Sequence, residues 1–291
     1  MVKALLLPLA YLPLGVLHVL GALVGWATYL LSSRYAQRMR DNLRQSGLCP
    51  DESEYQRALA QAVSAAGKSM LELPAIWLRP QPQVLKLVRT CTGWEHVDAA
   101  LARGKGIIFL TPHLGCFEIT SLYYAARHPI TVLYRPPRLA WLEALMLTGR
   151  VRGQVTLAPT DMGGVRSLLS ALKRDEAIGL LPDQVPSMGE GVWAEFFGRP
   201  AYTMTLAARL QRSTGATLLL AYAERLPGGK GYHLRIEPYQ EQLPEERLLA
   251  ARELNRAIEG LVARCPSQYL WSYNRYKVPR GVQPPSRAPE S

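Results

Sequence analysis

A histidine and a glutamate five residues apart, His113 and Glu118, stand directly after the apolar run at 107–110. Such a pair can perform base chemistry. A carboxylate holds one imidazole nitrogen protonated and leaves the other free to take a proton. The alternative is a histidine at a strand end beside an unrelated surface glutamate. In continuous helix, at roughly 100° per residue, the two side chains would point about 140° apart. They meet only if His113 and Leu114-Gly115 form a loop feeding the helix that carries Glu118, and Gly115 is suited to that bend.

Other apolar runs also end in polar groups. The run ITVLY at 130–134 is followed by Arg135 and Pro136-Pro137, where an arginine can clamp a phosphate or an oxyanion or simply cap the sheet edge. The run at 177–181 is followed by Pro182, Asp183 and Gln184; Asp183 is either a site carboxylate or a turn residue. Strands ending in His, Arg and Asp-Gln point to a shared crevice, because open α/β sheets bind ligands beyond the carboxyl ends of their strands. Phe196 and Phe197 are either core packing or the lining of an acyl-chain channel. The stretch 268–277 interleaves aromatic and basic residues, which suits single-stranded nucleic acid or a belt at a membrane surface.

These residues need a sheet to position them. The run at 107–110 reads as a strand buried on both faces and stopped by Thr111-Pro112. Strand and helix patterns then alternate: strands at 130–134, 154–157, 177–181 and 216–223, helices at 140–148, 165–173, 204–213 and 245–263. An edge strand is expected at 232–237. The order implies an α/β fold with a mixed, largely parallel sheet covered by helices.

Composition narrows the class. The chain has 291 residues, 48% of them apolar, with a formal net charge of +11 from 34 Lys+Arg against 23 Asp+Glu. That length and apolar share are sufficient for a sizeable core, and the basic excess implies acidic partners. Four scattered cysteines give no zinc spacing and no disulfide framework. A nucleophile elbow, a P-loop, a dinucleotide fingerprint and an HExxH helix are all missing.

Residues 4–31 contain no Asp, Glu, Lys or Arg. The stretch 14–31 would extend roughly 27 Å as a helix, enough to cross most of a bilayer core. A signal peptide would have a shorter apolar region and a small-residue cleavage site; a buried hairpin is the other alternative. Arg34, Arg38, Arg40 and Arg44 follow the run, so the positive-inside rule places the remainder on the cytoplasmic side. The expected division is an N-terminal membrane anchor at 1–33, a catalytic domain at 34–278 and a disordered tail at 279–291.

Six segments in order carry a family resemblance: Arg40-Asp41-Asn42-Leu43, His113 to Glu118, Tyr134-Arg135-Pro136, Leu181 to Gln184, Phe196-Phe197-Gly198 and Gln268 to Trp271. Together they resemble the bacterial lipid A late acyltransferases, the lauroyl/myristoyl transferases, within the His-x4-Asp/Glu acyltransferase group. Phe117 departs from the tryptophan usual there but keeps the aromatic bulk. The resemblance implies transfer of a fatty acyl chain from acyl carrier protein to a hydroxyl of a lipid A precursor at the bacterial inner membrane. His113 would be the base, Glu118 its orienting partner, and Arg135, Asp183, Gln184, Phe196 and Phe197 substrate-binding residues. It implies no metal and no cofactor beyond the acyl carrier protein thioester. Membrane lipids are expected partners and nucleic acid is not. The rivals are acylation of a phospholipid or another envelope lipid, and a non-catalytic tethered protein that binds anionic lipid or nucleic acid.

Overall fold

The run Ile107–Leu110 sits at the middle of the sheet, with every side chain buried. In the computed structural model, which describes residues 2–137, 139–239 and 242–285, it is strand β2 of a seven-stranded sheet. Among the described residues six helical segments precede the first strand: α1 Val2–Tyr11, α2 Leu14–Leu31, α3 Ser33–Gln45, α4 Glu52–Leu71, α5 Leu73–Leu78 and a short α6 at Gln81–Leu85. Then follow β1 Val88–Thr92, α7 Trp94–Ala102, β2, α8 Phe117–Tyr124, β3 Ile130–Tyr134, α9 Ala140–Arg150, β4 Val155–Pro159, α10 Met162–Lys173 and β5 Ala177–Leu180. The chain continues through β6 Gly191–Phe196, β7 Arg199–Met204, α11 Leu206–Thr214, β8 Thr217–Arg225, β9 Tyr232–Pro238 and α12 Arg247–Arg264.

The strand order is β1-β9-β8-β2-β5-β3-β4. All neighbours pair parallel except β8 with β9. The mixed, largely parallel sheet expected from the alternation is therefore present. The segment at 232–237 is not an edge strand: β9 lies between β8 and β1, and β1 takes the edge. β1 is a short polar run, VRTCT, with Arg89, Thr90 and Thr92 exposed, so it carries little apolar pattern to announce it.

Side-chain alternation on the strands divides the core into two halves. Ile108 and Leu110 join Ile178, Leu180, Leu218 and Leu220 on the face covered by α4, α10, α11 and α12. Ile107 and Phe109 join Ala177, Leu219 and Ala221 on the face covered by α5, α7, α8 and α9. β6 and β7 form a separate hairpin, turned by Phe197 and Gly198, both at positive φ (48° and 69°). That is the backbone a two-residue hairpin turn requires.

Helix α2 is long and apolar enough to cross a membrane. It packs closely against α4, where Gly21 and Gly25 meet Gly67. Of the tail expected at 279–291, residues 286–291 lie outside those described. Gln283 accepts a hydrogen bond from Trp193 Nε1 at 2.9 Å.

Candidate active site

The loop after β2 carries His113 and is tied down on both sides. Gly115 adopts φ 61°, and a Cβ there would fall 2.0 Å from the Ala223 carbonyl oxygen, so only glycine fits the approach to β8. Cys116 N donates to Ala223 O at 2.8 Å, Gly115 N to Gln268 O at 3.1 Å, and Leu270 N to His113 O at 3.0 Å. Arg225 Nη2 donates to Gly115 O at 2.8 Å. The segment 268–271 is thus the floor of this loop. Tyr269, Trp271 and Arg275 are buried, and Arg275 bonds Tyr202 O and Thr203 Oγ1. That part of the aromatic-basic stretch is internal packing, and no nucleic-acid or lipid belt forms from it.

His113 is held by Asp183, at the end of β5. Nδ1 lies 2.9 Å from Asp183 Oδ1, and the His113 backbone N–H donates to Asp183 Oδ2, also at 2.9 Å. An ionised carboxylate only accepts, so Nδ1 is the donor in this pair, and in the neutral ring the lone pair then falls to Nε2. Gln184 Nε2 approaches that nitrogen at 3.3 Å. Burial alone would raise the Asp183 pKa, but the adjacent His113 and its two hydrogen bonds outweigh burial and hold the carboxyl below the usual range. Phe117 packs on the ring at 4.6 Å between centroids, and Tyr273 stacks on it at 6.1 Å.

Glu118 does not orient His113, and here the expectation from spacing is corrected. The left-handed Gly115 and the following Cys116 start α8 in a new direction, so Glu118 in its first turn faces α5 and α9. Its Oε2 accepts from Trp77 Nε1 at 3.0 Å and from Arg150 Nε at 2.8 Å, while Oε1 pairs with Arg150 Nη2. Desolvation lowers the Arg150 pKa, but the Glu118 charge prevails and raises it above the ordinary value. Cys116, inside the motif, has its thiol pushed well up by burial and by Glu72, which disfavours a thiolate nucleophile there.

Two cavities meet at these residues. One, of about 210 Å³, is lined by His113, Gln184, Arg135, Arg150, Arg209 and Glu190 among others. The second is narrow, about 50 Å³, and runs into the apolar core between Phe109, Tyr124, Val132, Leu157 and Gly179. Phe117, Leu133, Arg150 and Leu181 border both. Glu118 faces the narrow one, and Arg135 is exposed at the rim of the wider one. Among the described residues no cluster of three metal-ligating side chains occurs.

Phe196 and Phe197 line neither cavity. Phe196 is buried against Tyr269 and Tyr276, and Phe197 lies at the hairpin turn against Trp271. Their place in an acyl channel is therefore replaced by packing behind the loop that carries His113. Sequence reasoning missed Arg150, Arg209 and Trp77. Arg150 ends α9 as an ordinary last-turn cation, and nothing in its spacing connects it with Glu118.

A family model described as "Bacterial lipid A biosynthesis acyltransferase" matches residues 1–278. The chain is similar to a lipid A biosynthesis lauroyltransferase of Escherichia coli, 28% identical over 285 residues, covering 95% of this chain and 90% of that protein. It is equally similar, at 28% over 271 residues, to the lipid A biosynthesis palmitoleoyltransferase of the same organism, covering 92% of this chain and 87% of the relative. A phosphatidylinositol mannoside acyltransferase of Mycobacterium tuberculosis is 27% identical over 157 residues, about half of each chain (53% and 49%).

Proposed function

The chain belongs to the bacterial lipid A biosynthesis acyltransferases, and from that premise we propose that it transfers a fatty acyl chain from acyl carrier protein to a hydroxyl of a lipid A precursor, with His113 as general base. The observation that carries this reading is His113 itself. Its Nδ1 is fixed on buried Asp183, and it lines a cavity that shares Phe117, Leu133, Arg150 and Leu181 with a narrow apolar one.

The acceptor hydroxyl gives its proton to His113 Nε2 as its oxygen attacks the thioester carbonyl. Asp183 stabilises the imidazolium that forms. Collapse of the tetrahedral intermediate breaks the C–S bond, and the imidazolium returns its proton to the leaving thiolate. Gln184, at 3.3 Å from Nε2, occupies the position the hydroxyl needs and yields it on binding. Arg135, Arg150 and Arg209 line the cavity of His113 and serve substrate phosphates or the developing oxyanion. Glu118 contributes by fixing Arg150. The narrow cavity takes the acyl chain. The basic excess suits an acidic carrier protein and raises its association rate. α2 attaches the enzyme to the inner membrane, with the catalytic body on the cytoplasmic face.

The half-length likeness to a phosphatidylinositol mannoside acyltransferase supports a second reading, in which another envelope lipid is the acceptor. Lipid mass spectrometry of a strain lacking the gene, complemented with wild type or His113→Ala, separates the two. Restoration by wild type alone of a lipid A species heavier by one acyl chain is the expected result. Lipid A unchanged on deletion, with another lipid losing a chain, favours the second acceptor. Full restoration by His113→Ala removes the proposed base.

A further inference from the structure

Helix α2 is docked on the catalytic body along its length. A Cβ on Gly25 would lie 2.3 Å from Val63 O, and one on Gly67 would lie 1.9 Å from Gly21 O. Nearer its start, Gly15 abuts the turn Pro227–Gly229, since a Cβ on Gly229 would lie 2.3 Å from Gly15 Cα. Buried His18 brings Nε2 to 3.3 Å from Glu72, whose carboxylate also accepts from Arg225 and Tyr232.

Gly21 meets Lys68 while Gly25 meets Val63, so α4 runs antiparallel beside α2. α4 exposes Gln56, Arg57 and Gln61 to solvent. Were α2 to cross a bilayer in this arrangement, those groups, with Glu72 and Arg225, would be carried to the depth of the acyl chains. Polar and charged groups are strongly disfavoured there.

The outer face of α2 has the opposite character. Val16, Val19, Leu23, Trp26 and Leu30 are all exposed, and at roughly 100° per residue they fall within an arc of about 80°. Leu7 and Tyr11 of α1 are exposed as well. Directly after α2, Arg34 is exposed, and Arg38 and Arg40 make hydrogen bonds to neutral groups: Ser272 O, Tyr29 and Gln37. These cations complement an anionic lipid surface, and a tryptophan in the stripe suits the headgroup boundary.

We propose that α2 does not cross the membrane but lies in one leaflet, with its stripe among the acyl chains and Arg34, Arg38 and Arg40 at anionic headgroups. This deepens the membrane part of the reading above and rests on it. In such a placement the buried side of α2 faces the protein body rather than water, and the N-terminus stays on the same side as the active site.

The test uses full-length enzyme in native membranes, with a protease-cleavable tag ahead of Met1 and a Ser33→Cys label site for a membrane-impermeant maleimide. Tag cleavage and Ser33→Cys labelling are both expected in inside-out vesicles, and neither in spheroplasts. Tag cleavage in spheroplasts with Ser33→Cys labelling confined to inside-out vesicles would overturn the proposal. Recovery of the chain in the soluble fraction would instead overturn the membrane reading itself. As a second measurement, a Leu23→Glu/Leu30→Glu double variant changes only outward side chains. Its release from phosphatidylglycerol vesicles is expected to rise by roughly tenfold or more; retention equal to wild type overturns the stripe's role.

Discussion

Asp183 grips His113 at two atoms, one carboxylate oxygen taking the ring Nδ1 and the other the residue's own backbone N–H, both at 2.9 Å. The ring cannot rotate or the loop shift without breaking one of these bonds. A carboxylate seventy positions away along the chain thus sets the orientation that the nearby Glu118 does not.

Replacement of Asp183 by Asn keeps the shape but removes the charge that stabilises an imidazolium. The expected outcome is a fall in kcat of about 10²–10⁴, with KM changed little. Steady-state kinetics with acyl carrier protein thioester, alongside circular dichroism to verify folding, make the check. A wild-type rate would exclude Asp183 from the chemistry.

The Glu118–Arg150 pair is doubly hydrogen-bonded and mostly buried. Arg150→Lys retains the charge but not the planar fork. A loss of activity is expected for Glu118→Gln and Arg150→Lys singly, with the double variant no worse than the poorer single one. Such non-additivity is the mark of residues acting as a unit. Additive losses would mean that the two act separately.

Glu72 provides an acid-dependent stability term. Burial opposes its ionisation, but Arg225 and His18 prevail and lower its pKa from 4.5 to about 2. Because the folded value is depressed, the stabilisation is complete above the unfolded value and is lost as pH falls from about 4.5 toward 2. Glu72→Gln leaves Arg225 buried without its counter-ion and is expected to cost about 3–5 kcal/mol at neutral pH. Thermal melts across pH should show the gap between variant and wild type narrowing below 4.5. A constant gap would rule out the linkage.

Chain-length preference should respond to the narrow cavity. A Cβ on Gly179 would meet Val132 Cγ2 at 3.3 Å, so any side chain there takes volume from the lining. Gly179→Val is expected to shift kcat/KM toward shorter acyl chains by about tenfold or more. The readout is competition between thioesters of graded length. An unchanged preference would place the chain elsewhere.

The parts of this structure legible in the sequence share one property: the signal is local. Strand β2 and its neighbours carry apolar runs, and the Gly115 bend follows from having no Cβ. What escaped depends on contacts between distant segments. The partner of His113 was legible as a polar residue at a strand end, but its pairing required the β2–β5 register, which no local pattern encodes. The β6–β7 hairpin turns on Phe197 at positive φ, a residue that ordinarily avoids that conformation, so the usual Asn-Gly signal was missing. The two phenylalanines have no local feature separating core packing from channel lining. Arg150 became meaningful only once α9, packed on α5, had set it beside Glu118.

The contact between His18 and Glu72 reaches further than helix packing. Glu72 holds Arg225, and Arg225 holds the carbonyl of Gly115 at the bend of the loop after β2. A shortened enzyme made by trimming away α1 and α2 for ease of handling would therefore lose more than an apolar helix. It would bare Val63 and Gly67 of α4 to water and withdraw one support from beneath the loop that carries His113. Activity measured on such a fragment would describe a different active site from that of the intact chain.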